Sequence, residues 1–218
     1  MMLGLEAVLT PDEVAAIAAR LSGAAYQDGK ATAGWHARQV KENDQVPADD
    51  PISRAVRIEI EDALRRHPVF SPAVQPKFIQ LLVNRYGPGQ SYGTHVDDAF
   101  MNGRRTDVAV TVFLSDPGTY DGGELVVETA AGAQAIKLPA GAAIVYPATF
   151  LHRVEPVTRG ERLACVGWVE SRIRDGAARE ILFDLERARR ALFQQHGKTA
   201  EFDLIAKACA NLLRRWGE

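Results

Sequence analysis

The 218-residue sequence predicts an α+β protein, a mainly antiparallel β core with helices at both ends. Three observations lead there. Between residues 76 and 171 come five short runs rich in Val, Ile, Leu and aromatics, at 78–86, 107–114, 124–128, 142–146 and 163–169. Turn clusters separate several of them, notably Asp116-Pro117-Gly118, Asp121-Gly122-Gly123 and Thr158-Arg159-Gly160. No interval leaves room for the crossover helices of a doubly wound parallel sheet, so the runs belong to a sandwich or barrel.

The flanking elements follow from capping and periodicity. Thr10-Pro11-Asp12-Glu13 supplies an N-cap, a proline at the first helical position and a capping-box glutamate. Val14, Ile17, Ala18 and Leu21 then fall on one face. Asp50-Pro51 repeats the start signal, with Ile52, Val56, Ile60, Ala63 and Leu64 behind it and a stop near His67-Pro68. Past Asp175-Gly176 the helical period returns. Ile181, Leu185, Ala188 and Leu192, then Phe202, Ile205, Cys209, Leu212 and Trp216, describe two amphipathic helices joined near His196-Gly197. This hairpin is expected to pack on its own domain; a partner surface, including a homo-oligomer formed through the terminal helices, is the alternative. The chain thus divides into a helical segment at 1–75 packed on the core, a β domain at 76–175 and a C-terminal hairpin at 176–218.

Composition removes several classes of function. Basic and acidic side chains number 26 and 28, so there is no field to draw in nucleic acid or an anionic membrane. No apolar stretch approaches the roughly 18 residues of a membrane helix. Met1 to Glu6 lacks a basic leader and a long apolar core, and the expected location is cytoplasmic. Cys165 and Cys209 lie far apart among apolar neighbours and read as two buried thiols, a disulfide being the alternative.

Five histidines can be taken one by one. His36 lies in a polar, glycine-containing region, His67 closes a helix and His196 sits at the hairpin turn, all surface or capping positions. His95-Val96-Asp97 is different. On a strand, positions 95 and 97 point to the same face, as two adjacent ligands on one metal would. His152 follows the apolar strand Ala142 to Tyr146. Two His and one carboxylate on an antiparallel framework form the facial triad of non-haem Fe(II) oxygenases, which leaves three metal positions open. Beyond the 158–160 turn stands Arg162, at the head of the strand Leu163 to Val169. An arginine turned into a sandwich interior needs an anion, because a buried unpaired charge is costly. A dicarboxylate that chelates the iron at one end and meets the guanidinium at the other would supply it.

Asn84-Arg85-Tyr86 followed by Tyr92-Gly93-Thr94-His95-Val96-Asp97 resembles the entry to the iron site of prolyl 4-hydroxylase-like dioxygenases. Tyr120-Asp121-Gly122-Gly123-Glu124-Leu125 resembles their mid-domain glycine turn, and His152 to Arg162 with Trp168 the distal half of the site. With its added terminal helices, the chain is most similar to the bacterial PKHD-type hydroxylases, strongly over 76–171 and less so in the flanks. The resemblance implies a double-stranded β-helix (jelly roll), Fe(II) held by His95, Asp97 and His152, and 2-oxoglutarate as cosubstrate with its distal carboxylate on Arg162. Tyr86 matches a tyrosine that lines the cosubstrate pocket, and Tyr92 and Trp168 match aromatics near the site. The implied partners are O₂, 2-oxoglutarate and an unidentified organic substrate, with L-ascorbate to keep the iron reduced. The implied reaction is hydroxylation of a C–H bond coupled to decarboxylation of 2-oxoglutarate to succinate and CO₂, with no separate catalytic side chain beyond the metal centre.

Two rivals stay open on the residues alone. A zinc hydrolase would use the same triad, but it leaves Arg162 without a task and lacks a general base. A jelly-roll module that keeps iron without turnover would release no succinate. Arg104-Arg105, in a loop expected to border the opening, suits either an acidic target or a plainly solvated loop.

Overall fold

Two antiparallel sheets face each other in the computed structural model, which describes residues 1–218. The chain opens with β1 (Leu3–Leu5), α1 (Pro11–Ser22), β2 (Gln27–Asp28), β3 (Lys41–Glu42), β4 (Asp44–Gln45), α2 (Pro51–Arg66) and α3 (Phe70–Val74). The central strands are β5 (Pro76–Tyr86), β6 (Ser91–His95), β7 (Phe100–Met101), β8 (Arg104–Arg105), β9 (Val108–Phe113) and β10 (Asp121–Gly122). Then come β11 (Leu125–Thr129), β12 (Gly132–Ile136), β13 (Ala143–Pro147), β14 (His152–Val154), β15 (Val157–Arg159) and β16 (Arg162–Ser171). Helices α4 (Gly176–His196) and α5 (Ala200–Trp216) close the chain.

The major sheet runs β1-β13-β9-β16-β5-β4-β2 and the minor sheet β12-β11-β14-β6-β3. Burial on both faces explains why Val108–Phe113 reads as a continuous apolar run. Val108, Val110 and Val112, with Leu163, Cys165 and Val169 of β16, belong to an outer core of 26 residues shared with α1, α2 and α3. The alternate residues Ala109 and Phe113, with Ile144 and Tyr146 of β13, face Leu125, Val127 and Val154 of the minor sheet in an inner core of 10. The jelly-roll expectation therefore holds, and the inner core marks the space between its two sheets.

The helix starts act as their sequences predict. Thr10 Oγ1 accepts the Glu13 N–H at 3.2 Å while the Glu13 carboxylate accepts the Thr10 N–H at 2.8 Å. Asp50 accepts the N–H groups of Ile52 and Ser53. Substituting either cap with alanine removes about 1 kcal/mol. The segment read as helical before residue 76 also carries β1 to β4, strands of two or three residues, too short to show a period of two.

Two further expectations need correction. β6 ends at His95, so Asp97 lies just past the strand and strand alternation does not set its direction. In α4 the buried positions are Ala178, Arg179, Leu182 and Phe183, whereas Ile181 is 48% exposed. That helix straddles two neighbours: Phe183 joins the outer core, and Ala178 and Leu182 pack with Leu212 and Trp216 of α5. A single seam through Ile181 cannot serve both. Cys209 is buried on the expected face of α5, and both cysteines are free. Burial pushes the Cys165 thiol up to about 12. No helix is long and apolar enough to cross a membrane.

Candidate active site

β14 pairs with β6 so that His152 stands directly opposite His95, which sets the two imidazole centres 4.3 Å apart. Asp97, two residues beyond His95, brings Oδ1 to 3.8 Å from His152 Nε2. One ligand atom from each of the three residues can be chosen so that all lie within 4.8 Å of one another. His36, His67 and His196 do not join this cluster.

The backbone orients both rings in the same way. His95 Nδ1 is 2.8 Å from Gly93 O and His152 Nδ1 is 3.0 Å from Phe150 O, each a carbonyl two residues earlier. A protonated Nδ1 donates to that carbonyl and leaves the Nε2 lone pair free to ligate. Tyr92 stacks on His95 at 3.6 Å, and Tyr146 meets His152 edge-on at 5.3 Å. Burial, with His152 beside it, pushes the His95 pKa down to about 3, so the ring is neutral as a metal ligand must be. Burial raises the Asp97 carboxyl above its ordinary range, with His152 and Trp168 pulling it back. Asp97 Oδ2 is buried with no hydrogen-bond partner. A carboxyl oxygen left this way beside two imidazoles suits a cation.

Across the same cavity Arg162 is 1% exposed, and its Nε and Nη1 have no partner. The β16–β5 register sets Arg162 opposite Tyr86, and its guanidinium carbon lies 5.4 Å from the Tyr86 ring centre and 5.5 Å from that of Phe113. Aromatic walls cannot neutralise a guanidinium, so this end suits an anion. Gly123 makes room for it. Its φ is +68°, and a Cβ there would lie 3.0 to 3.1 Å from Val157, Arg162 and Tyr120. The expected residues His95, Asp97, His152, Arg162 and Tyr86 therefore line one cavity of about 110 Å³, together with Tyr92 and Trp168.

Several lining residues were missed by the sequence reading. Lys41, Gln45, Thr111 and Tyr146 face the same cavity, as does Asn84, which the resemblance included without a role, and the buried Tyr120 hydroxyl, beyond it, has no partner. Lys41-Glu42-Asn43-Asp44-Gln45 looks like a solvated loop, yet Lys41, Asn43 and Gln45 are 5%, 2% and 2% exposed. Alternation was the available signal, hidden because every residue in the run is polar. The segment places β3 on one sheet and β4 on the other, bridging the open edge of the sandwich. Burial pushes the Lys41 amine down to about 8. The loop expected at the opening does contribute Asp98 and Met101, but neither Arg104 nor Arg105 lines the cavity. Arg105 binds Asp107 at 2.8 Å and Ser171 O at 2.9 Å, and Arg104 lies over Phe78 and 3.5 Å from Glu170.

Residues 81–170 match the model of the 2OG-Fe(II) oxygenase superfamily. Over the full length of both chains, the sequence is 52% identical to a PKHD-type hydroxylase of Picosynechococcus sp. and 53% identical to one of Acaryochloris marina. Among solved structures, a prolyl-4-hydroxylase of Pseudomonas putida superposes with a TM-score of 0.55 at 22% identity, over 78% of this chain and 92% of that one. A 2OG-Fe(II) oxygenase family oxidoreductase of Burkholderia pseudomallei gives 0.58 at 20% identity, over 78% and 84%. At such identities these two bear on the fold alone.

Proposed function

This chain belongs to the PKHD-type hydroxylases of the 2OG-Fe(II) oxygenase superfamily, and we propose that it hydroxylates an organic substrate while converting 2-oxoglutarate to succinate and CO₂. Membership implies Fe(II), 2-oxoglutarate and O₂. The observation that carries the residue-level reading is a buried guanidinium without a counter-ion in the same cavity as the His-Asp-His cluster. A zinc hydrolase leaves that charge unexplained.

The residues fit both groups. His95, Asp97 and His152 would hold the iron, two neutral nitrogens and one carboxylate, so that the ion keeps one positive charge to attract a chelating acid. Gly93 O and Phe150 O fix the ring tautomers, and the Tyr92 stack restrains rotation of His95. Arg162 would take the distal carboxylate of 2-oxoglutarate by charge-assisted hydrogen bonds. Tyr86 and Phe113 keep water from that contact, which strengthens it. Burial raises the Tyr86 phenol, so it stays a neutral hydrogen-bond donor beside the cosubstrate. Iron and 2-oxoglutarate together supply the oxidising chemistry, one atom of O₂ leaving in succinate and the other entering the substrate C–H bond.

In the same reading, ascorbate maintains the reduced iron and the enzyme works in the cytoplasm. Residues 76–175 carry the proposed metal and cosubstrate ligands, 1–75 pack on them and add Lys41 and Gln45 to the cavity wall, and 176–218 pack as a helical hairpin, self-association through the terminal helices being the alternative use of that surface. The test combines succinate release with profiling of metabolites and peptides for a mass gain of one oxygen, against His152→Ala. Fe(II)-dependent succinate and an oxygenated product missing from the control are expected. Turnover with zinc and none with Fe(II) would overturn the reading.

A further inference from the structure

Two side chains of Lys or Arg type line the cavity, Arg162 and Lys41, and the proposed cofactors account for the charge of one. Fe(II) brings two positive charges. Asp97 cancels one and the chelating carboxylate of 2-oxoglutarate the other, while the distal carboxylate cancels Arg162. The loaded site is neutral before Lys41 and Asp98 are counted, and Asp98, an exposed residue of the cavity wall, makes no ion pair with Lys41.

Lys41 has no acid of its own. It is 5% exposed, and its Nζ lies 5.2 Å from the centre of the Tyr92 ring that stacks on His95. The protein offers the ammonium one acceptor, Thr32 Oγ1 at 3.1 Å, and that hydroxyl is itself 2.6 Å from Gln45 Oε1. The carboxylate that acts on it from a distance belongs to Asp28, an exposed residue whose side chain caps the Lys30 N–H at 2.8 Å. An ammonium shut away from water with two donors unused is costly unless something else fills them. Gln45 leads to a second unused group. Its register partner Asn84 is 3% exposed, lines the same cavity and has an Oδ1 without a partner.

We propose that Lys41 receives the carboxylate of the organic substrate, which is a small, amino-acid-like acid whose N–H group is accepted by Asn84 Oδ1. This rests on the dioxygenase reading and adds the substrate class to it. The depth of Lys41 selects a small acid, since the group must enter the cavity to reach the ammonium. Placed there, the acid lies beside the Tyr92–His95 stack, at the metal end of the site, and leaves the Arg162 end to the cosubstrate.

The test uses the full chain loaded with Mn(II), which avoids oxidation, and 2-oxoglutarate without O₂. The twenty common amino acids and their primary amides serve as probes, read by thermal shift and then by direct titration. At least one acid raises the melting temperature while its amide does not. Lys41→Met weakens that acid by about tenfold to a hundredfold, the range of a lost charge-assisted hydrogen bond. The variant retains the shifts given by Mn(II) and 2-oxoglutarate, and Lys41→Arg retains the acid response. Should Lys41→Met fold poorly, Lys41→Gln gives the same comparison. Acids and amides acting alike, no acid response in the wild type, or equal acid affinity in wild type and variant would overturn the proposal. A wild type that responds to neither Mn(II) nor 2-oxoglutarate would instead sink the dioxygenase reading beneath it.

Discussion

On β16, Leu163, Cys165 and Val169 join the outer core, while the alternate residues Arg162, Val166 and Trp168 line the cavity. The outward set meets aliphatic side chains of α1, α2 and α3, such as Ile17, Leu21, Ile60 and Leu64, each at most 1% exposed. The inward set meets a cavity where Asp97 Oδ2, Asn84 Oδ1 and two nitrogens of Arg162 have no partner. One face of the sheet is packed by the protein's own apolar side chains. The other is complete only when something binds, and the same ten-residue strand supplies both. The lesson is that stability and function are separated here by side-chain parity rather than by domain.

Substitutions should therefore divide by face. The largest effect expected is from His152→Ala, which removes a metal ligand and should reduce Fe(II) retention and succinate formation at least about a hundredfold. Circular dichroism should show the fold intact. Ile60→Ala, on the outer side, should cost about 2–5 kcal/mol in denaturant unfolding. Its affinity for 2-oxoglutarate, measured well below the melting temperature, should stay unchanged.

Arg162→Met sharpens the contrast because it removes a buried charge. The affinity for 2-oxoglutarate should fall about tenfold to a hundredfold with iron retention preserved. In the ligand-free protein, the melting temperature should hold or rise, since an uncompensated charge has gone. Equal loss of iron and 2-oxoglutarate would give Arg162 a structural role and erase the distinction between faces. The smallest effect is Gly123→Ala. A methyl at a φ of +68°, 3.1 Å from Arg162 Cδ, should raise the KM for 2-oxoglutarate severalfold and change kcat little.

The two faces also differed in how well the sequence displayed them. The outer face was legible because Val56, Ile60 and Leu64 keep helical spacing and Val108, Val110 and Val112 keep strand spacing, each with an apolar signature. On the inner face, His95, Asp97, His152 and Arg162 could be picked out since imidazole, carboxylate and guanidinium are conspicuous near apolar strands. Lys41 and Gln45 could not. They lie on β3 and β4 and share Thr32 as partner, and a polar run such as Lys41 to Gln45 does not reveal which residues a second sheet will cover. Asp97 reached the site by a route other than the one expected, past the end of β6, in the irregular segment that follows His95. The helical seam of α4 was misplaced because periodicity locates one stripe, whereas this helix serves two neighbours.

The most direct test is an anaerobic titration of the Fe(II)-loaded protein with 2-oxoglutarate, followed by the visible charge-transfer absorption that a chelated 2-oxo acid gives on ferrous iron. The wild type should develop the band at stoichiometric iron and His152→Ala should not. Arg162→Met should develop the same band at a 2-oxoglutarate concentration about tenfold to a hundredfold higher. A wild type without the band, or with a half-saturation point equal to that of Arg162→Met, would contradict the assignment of the inner face.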